Sequence, residues 1–211
     1  MKKVEDHIEK YVGPIHRVYH EIVSELVHLD VYWIKPSMQL NFNVLVTGGI
    51  SCRPMKIPNE MKGNEYIELA ILLPADWPLQ KEDFNKEENY WPVRLLKDVG
   101  RLPHTYDTWL GYGHTVENGD PPEPYASNVK FISTILLPSI TLGEKFFTLK
   151  CDSTKEVRFY CLVPIFKDEL DLKMKKGADA LTDMFDKNHI SDVLNVNRIS
   201  ACTRKKILGI W

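Results

Sequence analysis

The seven histidines of this 211-residue chain are the first place to look for chemistry, because an imidazole titrates near neutral pH and serves both as general base and as metal ligand. Their spacing fits none of the usual arrangements. There is no H-E-x-x-H, no G-x-S-x-G, no phosphate-cradling G-x-x-x-x-G-K and no paired-cysteine zinc pattern. Two local constellations remain. His114 stands near Glu117 and Asp120, a set able to do acid–base work or hold a metal, although a histidine bonded to its own loop backbone is the simpler use and the expected one. His28 and Asp30 fall two residues apart on an alternating stretch and so share a strand face, which leaves a hydrogen-bonded pair open to them; adjacent same-face residues more often bond different neighbours, and that structural role is expected there. Gly111-Tyr112-Gly113 resembles a fragment of G-x-G-x-x-G, but it follows Trp109-Leu110 and enters a turn instead of opening a helix. The sequence therefore predicts no catalytic residue, no bound metal and no cofactor.

Most of these residues lie in the stretch 101–126, RLPHTYDTWLGYGHTVENGDPPEPYA. Its glycines, the Asn118-Gly119 turn signal and Pro121, Pro122 and Pro124 predict an ordered, exposed loop. It also carries Tyr106, Trp109, Leu110, Tyr112, Val116 and Tyr125, which need a surface to pack on. From Asp107 to Glu123 the charges are Asp107, Glu117, Asp120 and Glu123, with no Lys or Arg. Long ordered loops in compact domains are usually functional. The expected contact surface is thus Asp107, His114, Glu117, Asp120 and Glu123 as polar groups, with Trp109 and Tyr112 as apolar anchors. Trp77, Trp91 and Trp109 are a second candidate platform, with Trp77 and Trp91 alternatively anchoring loop ends.

A hydrophobic content of 44% is enough for one domain with its own core. The net charge of -2 excludes the global electrostatic footprint of a nucleic-acid binder. Acidic residues gather between Asp76 and Glu88, and the C-terminal piece, with Arg198, Arg204, Lys205 and Lys206, is basic. The four cysteines are widely spaced and read as reduced and structural. No run approaches the roughly 18 apolar residues of a membrane span, and no apolar leader follows Met1-Lys2-Lys3. A cytoplasmic protein that does not touch membrane is expected.

In chain order, Val4, Ile8, Tyr11 and Val12 predict a helix stopped at Gly13-Pro14. Strands are predicted at Ile15–Ile22, at Val27–Trp33 as a half-buried strand, at Leu40–Thr47, and at Tyr66–Leu73 as a central strand covered on both faces. A helix is predicted from Trp91-Pro92 to Pro103. Further strands are expected at Phe131–Leu137 and Glu156–Val163, each closed by a proline, with Phe146–Lys150 pairing the latter. One long helix is expected over Leu170–Phe185. Strands cluster without β-α-β alternation, so the fold class is α+β, a single domain with a mixed, largely antiparallel central sheet flanked by helices.

The segments EIVSELVHLDVYWIKPS, YIELAILLPADW, YWPVRLLKDVGRLPHTYDTWLGYGHTVENGDPPEPYA and FYCLVPIFKDELDLKMKKGADAL together resemble the Suppressor of fused (SUFU) domain family, in its compact bacterial form. The loop motif LP-x-x-YDTWLG-x-GHT is the most specific part. The resemblance covers about residues 13–198 of the single domain 1–211 and leaves 199–211 as a basic tail. Two departures are Glu117 in place of a proline before Asn-Gly and Gly49-Ile50 in place of Gly-Met. The resemblance implies a non-enzymatic binding module. Animal members sequester a transcription factor, and bacterial members are associated with toxin-immunity loci. It further implies an antitoxin similar to that of a Bacillus LXG-type module, whose partner is a cognate nuclease toxin, a ribonuclease. A regulatory scaffold for another protein is the alternative, and a metal-dependent enzyme using His114 is the third.

Overall fold

The computed structural model describes residues 1–21 and 26–203. The basic tail from Arg204 to Trp211 and the end of the first predicted strand at Ile22 lie outside the described residues. The elements are α1 (Lys2–Tyr11), β1 (Ile15–Tyr19), β2 (Asp30–Ile34), β3 (Phe42–Gly48), β4 (Tyr66–Pro74), α2 (Glu87–Thr105), β5 (Thr115–Glu117), β6 (Ser133–Pro138), the single turn α3 (Glu144–Phe147), β7 (Thr148–Lys150), β8 (Glu156–Ile165), α4 (Lys167–Lys176) and α5 (Ala178–Lys187). Together they make one α+β domain.

The eight strands form one sheet in the order β1-β2-β3-β4-β8-β6-β5, with β7 also paired to β8. Every pairing is antiparallel except β4 with β8. That parallel seam joins the two most apolar strands at the centre, and both are covered on each face. On one face Leu29, Val31, Leu45, Leu69, Ile71 and Leu162 meet the α2 stripe of Trp91, Leu95, Leu96 and Val99. On the other, Val44, Val46, Leu72, Phe159 and Val163 meet Val4 and Ile8 of α1 and Leu170, Leu181 and Phe185 of α4 and α5.

This second layer explains a correction. The alternation over Val27–Trp33 predicts a half-buried strand, yet all five residues of β2 are buried. Tyr32, on the face expected to be wet, lies under α1 and donates its hydroxyl to Glu5 Oε1 at 3.0 Å. Helix α2 begins earlier and ends later than predicted. Asn89 and Tyr90 N–H groups bond the Lys86 carbonyl and start the helix within the charged run, so Pro92 and Pro103 are interior. Arg101–Thr105 is accordingly helical, not loop. The predicted long helix over Leu170–Phe185 is two helices, because Gly177 turns the backbone to φ +89°, ψ 171° after its N–H closes the last helical bond to the Lys173 carbonyl, and α5 restarts at Ala178. β8 runs through Pro164 to Ile165, and Phe146 belongs to a helical turn before β7.

Two carboxylates are fully buried and held differently. Glu68 accepts from the Thr47 hydroxyl and the Gly49 and Ser51 N–H groups, with the Ser51 hydroxyl as a fourth donor; burial still pushes its carboxyl up. Glu169 takes a bidentate pair from Arg198 at 2.6 and 2.7 Å and ties α4 to the segment after α5. Buried charge is tolerated where such partners satisfy it.

Candidate functional site

Four side chains fix the loop that leaves α2. Leu110 is buried, with its N–H on the Met55 sulfur at 3.5 Å. Tyr125 is buried and stacks on Trp91 with ring centroids 5.2 Å apart. Trp109 and Val116 are half-buried against the same core. Trp91 is fully buried and meets Trp77 edge-on, so the tryptophans anchor loop ends and do not make an exposed platform.

The two glycines of Gly-Tyr-Gly serve close packing. A Cβ on Gly111 would sit 2.9 Å from the Trp109 ring, and Gly113, at φ +73°, would place one 2.7 Å from Ala178 Cβ. The Gly113 N–H donates to the Leu136 carbonyl at 2.8 Å. β5 then pairs with β6 from Thr115 to Glu117, so the predicted loop contains an edge strand. Beyond it the Asn118 side chain donates to the carbonyls of Glu123 and Pro124 at 2.9 and 3.2 Å, closing the turn that carries Asp120.

The expected contact residues fall into two groups on this frame. His114 is turned inward, its ring 4.3 Å from that of Trp109. Burial and then Lys173 hold its imidazole below the usual histidine range, against a hydrogen bond with the Trp109 backbone. It is therefore neutral near pH 7, and it packs on the loop's own anchor. Glu117 and Asp120 do not join it in any metal-ligating group of three among the described residues. Asp107, Tyr112, Glu117, Asp120 and Glu123 are exposed. Tyr112 donates its hydroxyl to Asp179 Oδ1 at 2.7 Å, which ties the loop to α5.

The four carboxylates share one property. Among the described residues, none of Asp107, Glu117, Asp120 and Glu123 enters an ion pair or accepts a hydrogen bond at its carboxylate. In the other acidic stretch three of the five acids have partners, Asp83 accepting from Gln80 N–H, Glu87 from Arg94 and Glu88 from the Ser127 hydroxyl, whereas Asp76 and Glu82 have none among the described residues.

Sequence reasoning missed two features. A cleft of about 360 Å³ lies between α2 and the 116–119 turn, and Arg94, Arg101, Tyr106 and Glu117 are among its walls. Its arginines come from α2 and are engaged by Glu87, Asp98 and Glu21, so they leave the loop carboxylates unneutralised. A helix assigned from Glu87 to Thr105 would have placed them there. The second feature is at the end of β1, where His20 and His28 both meet Asp30, although separate neighbours are expected for His28 and Asp30. No periodicity in the sequence signals that His20 belongs with them.

Fold and site thus define a single-domain α+β protein with an acidic, aromatic loop braced on its sheet and no assembled catalytic group in that loop. The Suppressor of fused protein (SUFU) family model matches residues 25–199, and the chain belongs to that family. It is 29% identical over 182 residues to an uncharacterized protein of Ureaplasma parvum, covering 86% of this chain and 83% of the other. Among solved structures, it resembles a SUFU homolog from Neisseria gonorrhoeae at a TM-score of 0.69 and 18% identity, covering 97% of both chains. It resembles a chain of the Sufu-Fu complex at 0.66 and 16%, covering 95% of this chain and 91% of that one. For Drosophila Suppressor of Fused the values are 0.65 and 14%, covering 95% of this chain but 50% of the fly chain. At these identities the structural likenesses establish the fold. Among the described residues, no helix is long and apolar enough to cross a membrane.

Proposed function

We propose that this chain is a non-enzymatic binding module that acts in the cytoplasm as the immunity partner of a nuclease toxin, a ribonuclease of an LXG-type module. The observation that carries the reading is the set of four exposed carboxylates with no partner among the described residues, Asp107, Glu117, Asp120 and Glu123, beside exposed Tyr106 and Tyr112. A nuclease surface that grips phosphates is basic, and carboxylates fixed on a braced loop can occupy it in place of nucleic acid. Bracing lowers the entropic cost of ordering the loop on contact. The same charge argues against nucleic acid as a direct ligand.

A regulatory scaffold for another protein is the second reading, favoured by the likeness to a chain of the Sufu-Fu complex. Co-expression separates the two. With the nuclease toxin of an adjacent LXG-type reading frame, host cells are expected to survive only when this protein is present. Survival no better than with toxin alone would defeat the immunity reading and leave the scaffold.

A further inference from the structure

Asp30, His20 and His28 are the only three metal-ligating side chains among the described residues that bring one ligand atom each within 4.8 Å of one another. Asp30 opens β2 and its side chain is 6% exposed, whereas those of His20 and His28 are 68% and 51% exposed. Each carboxylate oxygen faces one imidazole, Oδ1 at 3.0 Å from His28 Nε2 and Oδ2 at 3.1 Å from His20 Nδ1. The arrangement is built from the backbone. Glu21 N–H donates to Asp30 Oδ1 at 3.3 Å, and Glu21's own carboxylate is taken up by Leu29 N–H and Arg101. A Cβ on Gly49 would lie 1.9 Å from the His28 carbonyl oxygen, so glycine is required for that chain segment to pass His28 so closely.

We propose that His20, His28 and Asp30 bind one borderline divalent transition metal, of which zinc is the natural representative. Two imidazoles and a carboxylate are donors that zinc accepts, and three protein ligands leave one outward position open. Metal–ligand bonds of about 2.0–2.2 Å at tetrahedral angles put neighbouring ligand atoms about 3.3 Å apart, close to the two N···O separations already present. A metal takes imidazoles in their neutral form, so protons compete with it for the two histidines. The cations at this corner are Arg101, held by Glu21 and Asp98, and Lys97, which burial and Arg101 keep below its usual range. This site departs from the sequence expectation that no metal is bound, and it does not depend on the partner-binding reading.

Cobalt(II) titration of the untagged, chelator-treated full chain tests it. We expect one cobalt per chain with visible absorption of a low-symmetry nitrogen–oxygen site, displaced by one equivalent of zinc. His20→Gln and His28→Gln, both at exposed side chains, should each weaken binding at least about tenfold while circular dichroism stays unchanged. Absence of saturable binding, affinity unaltered by either substitution, or thiolate-to-cobalt charge-transfer bands from the cysteines would overturn the proposal.

Discussion

The loop from Tyr106 to Ala126 and the corner at His20, His28 and Asp30 arrange the same residue types in opposite ways. In the loop the imidazole is packed inward on Trp109 and the carboxylates are exposed, with no partner among the described residues. At the corner the carboxylate is buried and the imidazoles are outside, both directed at it. Separated outward carboxylates make a field that attracts a basic surface but cannot chelate. Convergent donors on a buried base can hold one small ion. On our proposals, the first arrangement suits a macromolecular contact and the second a metal.

The largest expected effect comes from removing the loop's anchor. Leu110→Ala opens a cavity between the loop and the core and should cost about 2–5 kcal/mol in urea unfolding, whereas changes at the exposed corner histidines should leave the denaturation midpoint nearly unchanged. A Leu110→Ala protein as stable as the parent would mean that the loop is not braced as described.

A smaller effect separates the inward histidine from the outward ones. His114 has its folded pKa below the ordinary value of 6.5, as do His7 and His104. Below pH 6.5 the unfolded chain takes up protons that the folded chain refuses, so stability is full above that pH and is lost as pH falls through the folded values. His114→Gln should make the stability-versus-pH curve between pH 7 and 5 shallower without abolishing the slope. An unchanged slope would place His114 in water. The smallest effect is that of Tyr112→Phe, which removes an exposed hydrogen bond to Asp179 and should cost about 0.5 kcal/mol; a loss several times larger would make Tyr112 a structural strut and weaken its candidacy as an apolar contact.

Much of this molecule was legible in the sequence. Tyr66–Leu73 was readable as a central strand because an apolar run flanked by breakers needs cover on both faces, and β4 sits at the middle of the sheet. The anchoring of the 101–126 stretch was legible in its own aromatics. What could not be read was set by distant partners. Tyr32 looks solvent-facing until α1 is laid over it. Glycine at 177 is compatible with a helix interior as well as with a stop, and only the observed positive φ decides. His20 meets Asp30 through the pairing of β1 with β2, and no local pattern encodes that meeting.

The central claim is that the exposed carboxylates of the loop are the partner-binding surface, and its most direct test is a charge-reversed protein, Glu117→Lys/Asp120→Lys/Glu123→Lys. All three side chains are exposed, so unfolding stability should change by less than about 1 kcal/mol. Titrated against the purified nuclease domain of the adjacent toxin, the variant should lose affinity by at least about a hundredfold, chiefly through slower association, and the salt dependence of binding should shrink with it. Undiminished binding by the folded variant would contradict the account and move the contact surface off this loop.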